Sequence, residues 1–495
     1  MTIHLPQSRS QTQALETLVD HILDQAQDEL AQEDLAHWRE DLRRRFEQLH
    51  QHPEQGLGFI EEHVRQATLE LQRLLVQKAM QDKANTVEEH CPDCEGPLTH
   101  KTRRVGRWVD AYCGKVRLLR THGWCPRCEQ WVFPADRVLG LREDSTASPL
   151  VQEMCALLVS KMPAEQAEAI ALRVTGRALS RSSLAREAQR QGDSAIKVRE
   201  RLVQAPVHLA HTSAPKPAVA TEQSPPPFTL VLQIDAWNIR ERDHWGKTQA
   251  MRRRNQELKR WHWVYTATCF RLHQRCRKGR SKTKERAVIT ERSYVATRGG
   301  LEPLMKQLYY EARARGLGQA QQVLVLADGA VWIWNLVADR FKDAVQRLDL
   351  YHANAYLWAV ANELHGAGTP EARRWVKPLL RQIRNDQVTK VITHLEELKP
   401  TLTEAAAVKV ADDALEYYGN NKQRMKYKAA RKRNEPVGSG AIESTCRQLQ
   451  CRMKRCGQFW STPGDEALLC LEMFWRNHRW ELLFPHAQLT ALSNN

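Results

Sequence analysis

The 495-residue sequence has no apolar run long enough to span a bilayer, for which about 20 residues are needed. Its first residues, MTIHLPQSRSQTQ, lack the apolar core of a secretory signal. A membrane partner is therefore not expected, and a cytoplasmic protein is. Acids are in short supply: 58 Asp+Glu stand against 74 Lys+Arg, for a net charge of +16. That deficit suggests a polyanionic partner, most simply nucleic acid. No phosphate-cradling Gly-x-x-x-x-Gly-Lys-Ser/Thr stretch occurs, so nothing points to ATP. The 12 cysteines of this long chain do not read as a disulfide framework; they suggest metal binding and free thiols.

What is present falls into blocks. Residues 1–88 carry helical periodicity, as in Leu35, Trp38, Leu42, Phe46 and Leu49, broken by HPEQGLG at 52–58. CPDC at 91–94 and CPRC at 125–128 are paired Cys-x-x-Cys knuckles. Two thiolates three apart on a tight turn can face one ion, and two such turns complete a closed tetrahedral site. Cys91, Cys94, Cys125 and Cys128 are thus expected to hold a structural Zn2+ in a ribbon over 89–144, and its many Lys and Arg residues make DNA contact plausible. Residues 145–204 are helical, with a stop at Gly176 and a cap at Ser180. A helix-turn-helix reading would place Arg181 and Arg186 on DNA. The stretch 205–228, rich in Pro, Ala, Ser and Thr, reads as a linker.

Beyond the linker the pattern becomes α/β. TLVLQIDAW (229–237), HWVYTATCFRL (262–272), RSYVATR (292–298), QVLVLADG (322–329) and QRLDLYH (346–352) read as strands, with helices after the third and fourth. This first part of the core, 229–353, precedes a helical insertion over 354–436 and C-terminal helices over 437–495. In VLVLADGAVW (323–332), Asp328 ends an apolar run that looks fully buried. It could cap the next helix, or serve as a ligand at the carboxyl edge of the sheet. Asp235 ends the first strand in the same way, and Glu443 opens a helix after Gly-Ser-Gly. If the first and fourth strands are neighbours, Asp235 and Asp328 lie side by side, and a following helix can bring Glu443 to them. Three converging carboxylates repel unless cations sit between them. Two Mg2+ ions about 3.5–4 Å apart would resolve that repulsion and suit phosphodiester chemistry. Three clusters, 251–260, 271–286 and 422–433, are dense in cations. Arg252, Arg253, Arg254, Lys278, Arg280, Lys428, Arg431 and Lys432 are candidate phosphate contacts, joined by Arg447 and Lys454 on the helix after Glu443.

From about residue 90 onward the chain resembles DDE-type insertion-sequence transposases, most closely the ISKra-like group. The likeness rests on CPDC…CPRC, FPADRVLGL (133–141), DGAVWIWN (328–335), LDLYH (348–352) and GSGAIESTCRQLQCRMKRCGQFW (438–460). It implies a multidomain protein: a helical N-terminal arm, a zinc ribbon, a helix-turn-helix-like domain, and an α/β RNase H-like catalytic domain with a long helical insertion. It also implies that Asp235, Asp328 and Glu443 bind Mg2+ or Mn2+, and that Asp349 and His352 match a D-x-x-H found in related groups, with His352 orienting a phosphate or the attacking group. The first acid reads D-A-W where the family often has D-G; Asp243 is the alternative. The implied activity is cleavage at terminal inverted repeats to a 3′-OH, then strand transfer to target DNA by a dimer or higher assembly. The rival readings are a DNA-binding regulator without catalysis and a related RNase H-like nuclease or resolvase.

Overall fold

The computed structural model describes residues 32–52, 54–176, 178–204, 227–242, 254, 260–278, 283–461 and 464–487. Nearly all of the expected linker, together with Asp243, Arg252, Arg253 and Arg280, lies outside them. The chain divides into two compact units, Met1–Gln191 and Gly192–Asn495. No helix among the described residues is long and apolar enough to cross a membrane.

In the first unit, α1 (Gln32–Gln51) and α2 (Leu57–Asn85) flank the expected break. A three-stranded antiparallel sheet follows: β1 (Thr99–Ala111), β2 (Gly114–Cys125) and β3 (Gln130–Val132). β3 covers β2 only over Gly123–Cys125. Higher up that edge α2 takes its place. The Gln77 carboxamide accepts from the Arg117 amide (3.0 Å), and Gln81 both accepts from the Leu119 amide and donates to its carbonyl (2.8 Å each). An exposed strand edge is thereby closed. Two ribbon cations expected at the surface turn inward instead: Arg107 and Arg120 each reach buried Asp136 at 2.7 Å. After α3 (Pro134–Val138) come α4 (Pro149–Lys161), α5 (Ala164–Thr175) and α6 (Arg181–Gln204); the division between the units falls within α6. α5 stops at Gly176, whose φ of 72° suits glycine. The Ser180 hydroxyl accepts from the Ser183 amide at 3.2 Å, the expected cap.

The second unit is built on a five-stranded mixed sheet. β4 (Thr229–Glu241) pairs antiparallel with β5 (Arg260–Lys278), and β5 with β6 (Thr283–Thr297). On its other side β4 pairs parallel with β7 (Gln322–Ala327), and β7 with β8 (Val345–Leu348). The order is β6-β5-β4-β7-β8, so the first and fourth strands are neighbours as expected. α7 (Leu301–Ala314) leads from β6 to β7, and α8 (Val331–Arg340) from β7 to β8. The central strands read as continuous apolar runs because both faces are covered; Leu230, Leu232, Leu324 and Leu326 are fully buried. β5 and β6 run well past the expected segments. Beyond Leu272 there is no β4 residue left to pair with, and the two strands continue as a ribbon with register Arg275↔Arg286 and Arg277↔Lys284. Over 273–286 the sequence HQRCRKGRSKTKER is dense in Lys and Arg and offers no apolar alternation to detect.

The insertion comprises α9 (Leu350–His365), α10 (Pro370–Arg384), α11 (Val388–Leu398), α12 (Ala405–Asn421) and the short α13 (Tyr427–Lys432). α14 (Gly440–Met453) and α15 (Gly464–Arg476) follow. One expectation changes here. QRLDLYH is not a strand throughout: β8 ends at Leu348, the Asp349 side chain caps α9, and His352 lies in the first helical turn. The β-rich composition hid an Asp that accepts the helix's own N–H groups. On α14, Ile442, Cys446, Leu449 and Met453 are buried. Cys456 falls beyond the helix end and is exposed.

Candidate metal centres

Each cysteine knuckle of the ribbon is folded by its own backbone. The Cys91 amide donates to the Gly96 carbonyl at 2.8 Å, and the Glu95 amide returns to the Cys91 carbonyl at 2.9 Å. In the second knuckle the Cys128 amide donates to the Cys125 Sγ at 3.4 Å. The turns bring all four Sγ atoms within 4.8 Å of one another. Cys94–Cys125 is 3.5 Å and Cys91–Cys128 is 3.9 Å. A tetrahedron with metal–sulfur bonds of about 2.3 Å has edges of about 3.8 Å, so the cluster fits that coordination. Crowded against the other three, the Cys128 thiol resists ionisation: hydrogen bonding to Cys94, then desolvation, pushes it up to about 12. A thiophilic dication reverses that, because coordinated thiols lose their protons. The cluster could hold a structural metal such as zinc, and with four sulfur ligands it leaves no open position. Cys113 packs in a different apolar cluster and is not part of it.

The second centre lies at the carboxyl edge of the five-stranded sheet. The β4–β7 register ends at Gln233↔Leu326, and β7–β8 ends at Ala327↔Leu348. Continuing both registers sets Asp235 of β4 level with Asp328 and Asp349, each one residue beyond the end of β7 and β8. This edge is where open α/β sheets bind ligands. The Asp349 amide, donating to the Ala327 carbonyl at 2.7 Å, extends the β7–β8 pairing to that level. Asp235 is in mid-strand rather than at a strand end, because β5 continues to pair with β4 after β7 has stopped.

Asp328 is held by a tight turn. Its Oδ1 accepts from the Ala330 amide at 3.0 Å, and its carbonyl accepts from the Tyr417 hydroxyl at 2.6 Å. The N-cap of α8 is Ala330, with no side-chain bond, so the helix-cap reading of Asp328 gives way to this turn. Gly329 is required there: its φ is +106°, and a Cβ would sit 2.9 Å from both Leu348 Cδ1 and Tyr417 Cε2.

Glu443, in the first turn of α14, is positioned by a preceding loop tied to β4 and to the start of α9. Gln233, on the same β4 face as Asp235, accepts from the Ile442 amide at 2.9 Å. Asp349 Oδ2 accepts from the Ser439 amide at 2.5 Å, and the Leu350 amide donates to the Val437 carbonyl at 2.9 Å. The Ser439 hydroxyl then donates to Glu443 Oε1 at 2.6 Å. The preceding residues are anchored by a buried ion pair, Arg347–Glu435, at 2.6 Å.

His352 completes the group. Its amide and its Nδ1 lie 2.7 Å and 3.0 Å from Asp349 Oδ1. Asp349, His352 and Glu443 offer donor atoms within 4.8 Å of one another, a spacing that could hold a metal ion. Among the described residues, Asp235, Asp328 and Glu443 do not by themselves close to that spacing. Electrostatics nonetheless couples the five. Desolvation, with the charge of Asp328, raises Asp235; the Ala236 amide, the Cys446 thiol and His352 act against it. His352 is raised by its hydrogen bond to Asp349, with further help from the charges of Asp328 and Glu443. For Asp349, burial is outweighed by hydrogen bonds from His352 and Ser439, and it is lowered. Four carboxylates thus face one imidazole, an excess of negative charge that invites cations. The oxygen donors suit hard divalent ions.

Gln233, Ser439, Tyr417 and Cys446 escaped the sequence reading. Only the polar Gln233 inside an apolar strand offered a signal. Of the candidate DNA contacts, Arg186, Arg254, Lys428, Arg431, Lys432 and Arg447 are exposed. Arg181 is exposed but paired with Glu168 at 2.8 Å and Glu165 at 3.2 Å. Lys278 closes β5. Lys454 Nζ lies 3.4 Å from Asn238 Oδ1 and 5.9 Å from the Trp261 ring centre. No family model matches the chain, and no curated protein matches it.

Proposed function

We propose that this chain is a DNA transposase of the DDE type with an RNase H-like core. The observation that supports it best is the level placement of Asp235, Asp328 and Asp349 at the edge of adjacent strands, with the start of α14, which carries Glu443, hydrogen-bonded to Gln233 and the residue before it to Asp349. A sheet of three antiparallel strands extended by two parallel ones, with acids on the first and fourth, agrees with that core. Asp235, Asp328 and Glu443 are the residues that would hold Mg2+ or Mn2+. Bound there, such ions lower the pKa of water and offset charge on a phosphodiester undergoing in-line displacement.

The chain's own residues fix the geometry. The strands set two carboxylates, and α14 sets the third. Asp349 keeps Nδ1 of His352 and leaves Nε2 free to donate a proton to a phosphate oxygen. In the first step water attacks phosphorus and the bond to the 3′ oxygen breaks, leaving a 3′-OH and a 5′-phosphate. In the second step that 3′-OH attacks a target phosphorus and displaces the target's own 3′ oxygen. The ribbon, with Zn2+ on its four cysteines, and the α5–α6 helices would recognise the terminal repeats. Two ends must be held together, so the working form is a dimer or larger. An end-joining assay tests this reading. Duplexes carrying the element's terminal repeat with a free 3′-OH join a target plasmid in Mg2+ or Mn2+, and 3′-deoxy ends do not. Tight binding without joining or nicking in either metal would replace it with the regulator reading.

A further inference from the structure

The insertion is not uniformly charged. α10 has the sequence PEARRWVKPLLRQIR, with five cations and a single acid. Ala372, Val376, Leu379 and Ile383 are its buried side. Arg373, Lys377, Arg381 and Arg384 recur at helical spacing on the opposite side, and all four are exposed. None of the four takes part in an ion pair among the described residues, whereas Arg374 is paired with Glu371. α11 and α12, in contrast, carry Glu396, Glu397, Asp412, Asp413 and Glu416. Like charges one helical turn apart repel in the free protein, and a polyanion relieves that repulsion.

The strip continues onto α13. Asp386, two residues past α10, accepts from the Lys428 and Ala429 amides at 2.8 Å and 3.4 Å and joins the two helices. Lys428, Arg431 and Lys432 are exposed on one side of α13, away from buried Tyr427 and Ala430. Chain continuity then leads through Glu435 to α14, which carries Glu443.

We propose that this α10–α13 face binds the phosphate backbone of duplex DNA. From Arg373 to Arg384 the helix rises roughly 17 Å, a length over which duplex DNA presents about ten phosphate charges. The charges are regular, of one sign and, among the described residues, in no ion pair, a pattern that a row of backbone phosphates matches. The contact is therefore to backbone and independent of sequence. The inference shares its DNA partner with the transposase reading but not the chemistry of the carboxylates.

The test is fluorescence anisotropy of a labelled duplex of arbitrary sequence, titrated with the full chain across a salt series. Replacing Arg373, Lys377 and Arg381 together by Gln makes the slope of log K against log salt shallower by about 2.7, at about 0.9 per lost phosphate contact. The single Lys377→Gln variant, too mild to disturb folding, makes it shallower by about 0.9. Lys399→Gln, which removes a cation already paired with Asp412 at 2.6 Å, leaves the slope where it was. An unchanged slope in both Gln variants overturns the surface and leaves the transposase reading standing. A wild type that does not bind duplex DNA overturns both. A shallower slope without metal-dependent cleavage supports the surface and removes the catalytic reading. Tighter binding of single-stranded RNA of equal length would overturn the choice of partner.

Discussion

Asp349→Asn isolates the contact that fixes the Glu443 loop. Asp349 is fully buried. One oxygen serves the amide and ring of His352, and the other serves the Ser439 amide. An asparagine has one acceptor and one donor group where the aspartate has two acceptors. Asn is as good a helix cap as Asp, so its oxygen stays with His352. Its NH2 then faces the Ser439 N–H, donor against donor. A hydrogen bond to a charged acceptor contributes about 1.5–3 kcal/mol. Local opening of the 437–443 loop becomes easier by that amount, which is about a 10- to 150-fold loss of protection. Hydrogen exchange read by mass spectrometry on peptides spanning 437–446 measures it, with ribbon peptides as the internal control. Asp349→Ala removes the cap as well and costs about 1 kcal/mol more at the start of α9. Equal protection of the loop in wild type and Asp349→Asn would refute the reasoning, because it would mean that Asp349 does not hold the loop.

Three further expectations are independent of that loop. The four-cysteine cluster binds one zinc per chain, released by a mercurial and detected with a chromogenic chelator; Cys125→Ser lowers the stoichiometry, and a chain purified without chelators yet free of metal would contradict the cluster's role. Gly329→Ala forces a Cβ to 2.9 Å from Leu348 and Tyr417 at a φ of +106°, costing about 1–3 kcal/mol, so an unaltered melting temperature would count against the turn as described. Asp465 is buried beside Glu241 and Arg298, and burial, then hydrogen bonding to Glu241, raises it to about 7. The folded chain keeps a proton there that the unfolded chain releases near the ordinary Asp value, so stability falls as pH climbs from about 4 to about 7, by up to about 1.4 kcal/mol per unit. Melting curves of wild type and Asp465→Asn diverge over that window; parallel curves would show that the buried pair does not hold the proton.

The parts of the fold with a one-dimensional signature were legible. Apolar runs marked β4 and β7, Cys-x-x-Cys spacing marked the ribbon, and Gly176 and Ser180 marked the ends of α5 and α6. Asp235 and Asp328 stood out because a carboxylate at the end of a buried run demands an explanation. Features that depend on register did not show. That Asp349 stands level with the other two acids follows only from the β7–β8 pairing, and the length of the β5–β6 ribbon from where β4 stops. Gln233 acts through a residue 209 positions away, a distance that no local pattern encodes. The buried Glu241–Arg298–Asp465 group gathers three ordinary charged residues from separate elements. The α10 face was missed because its cations are spread at helical intervals, whereas the 422–433 cluster is contiguous.

The most direct test of the account is strand cleavage of a duplex bearing the element's terminal repeat, comparing wild type with Asp235→Asn, Asp328→Asn and Glu443→Gln in Mg2+ and Mn2+. The account predicts metal-dependent nicking at the repeat by the wild type, lost in all three variants while DNA binding is retained. Nicking that survives loss of any one of the three carboxylates would contradict it.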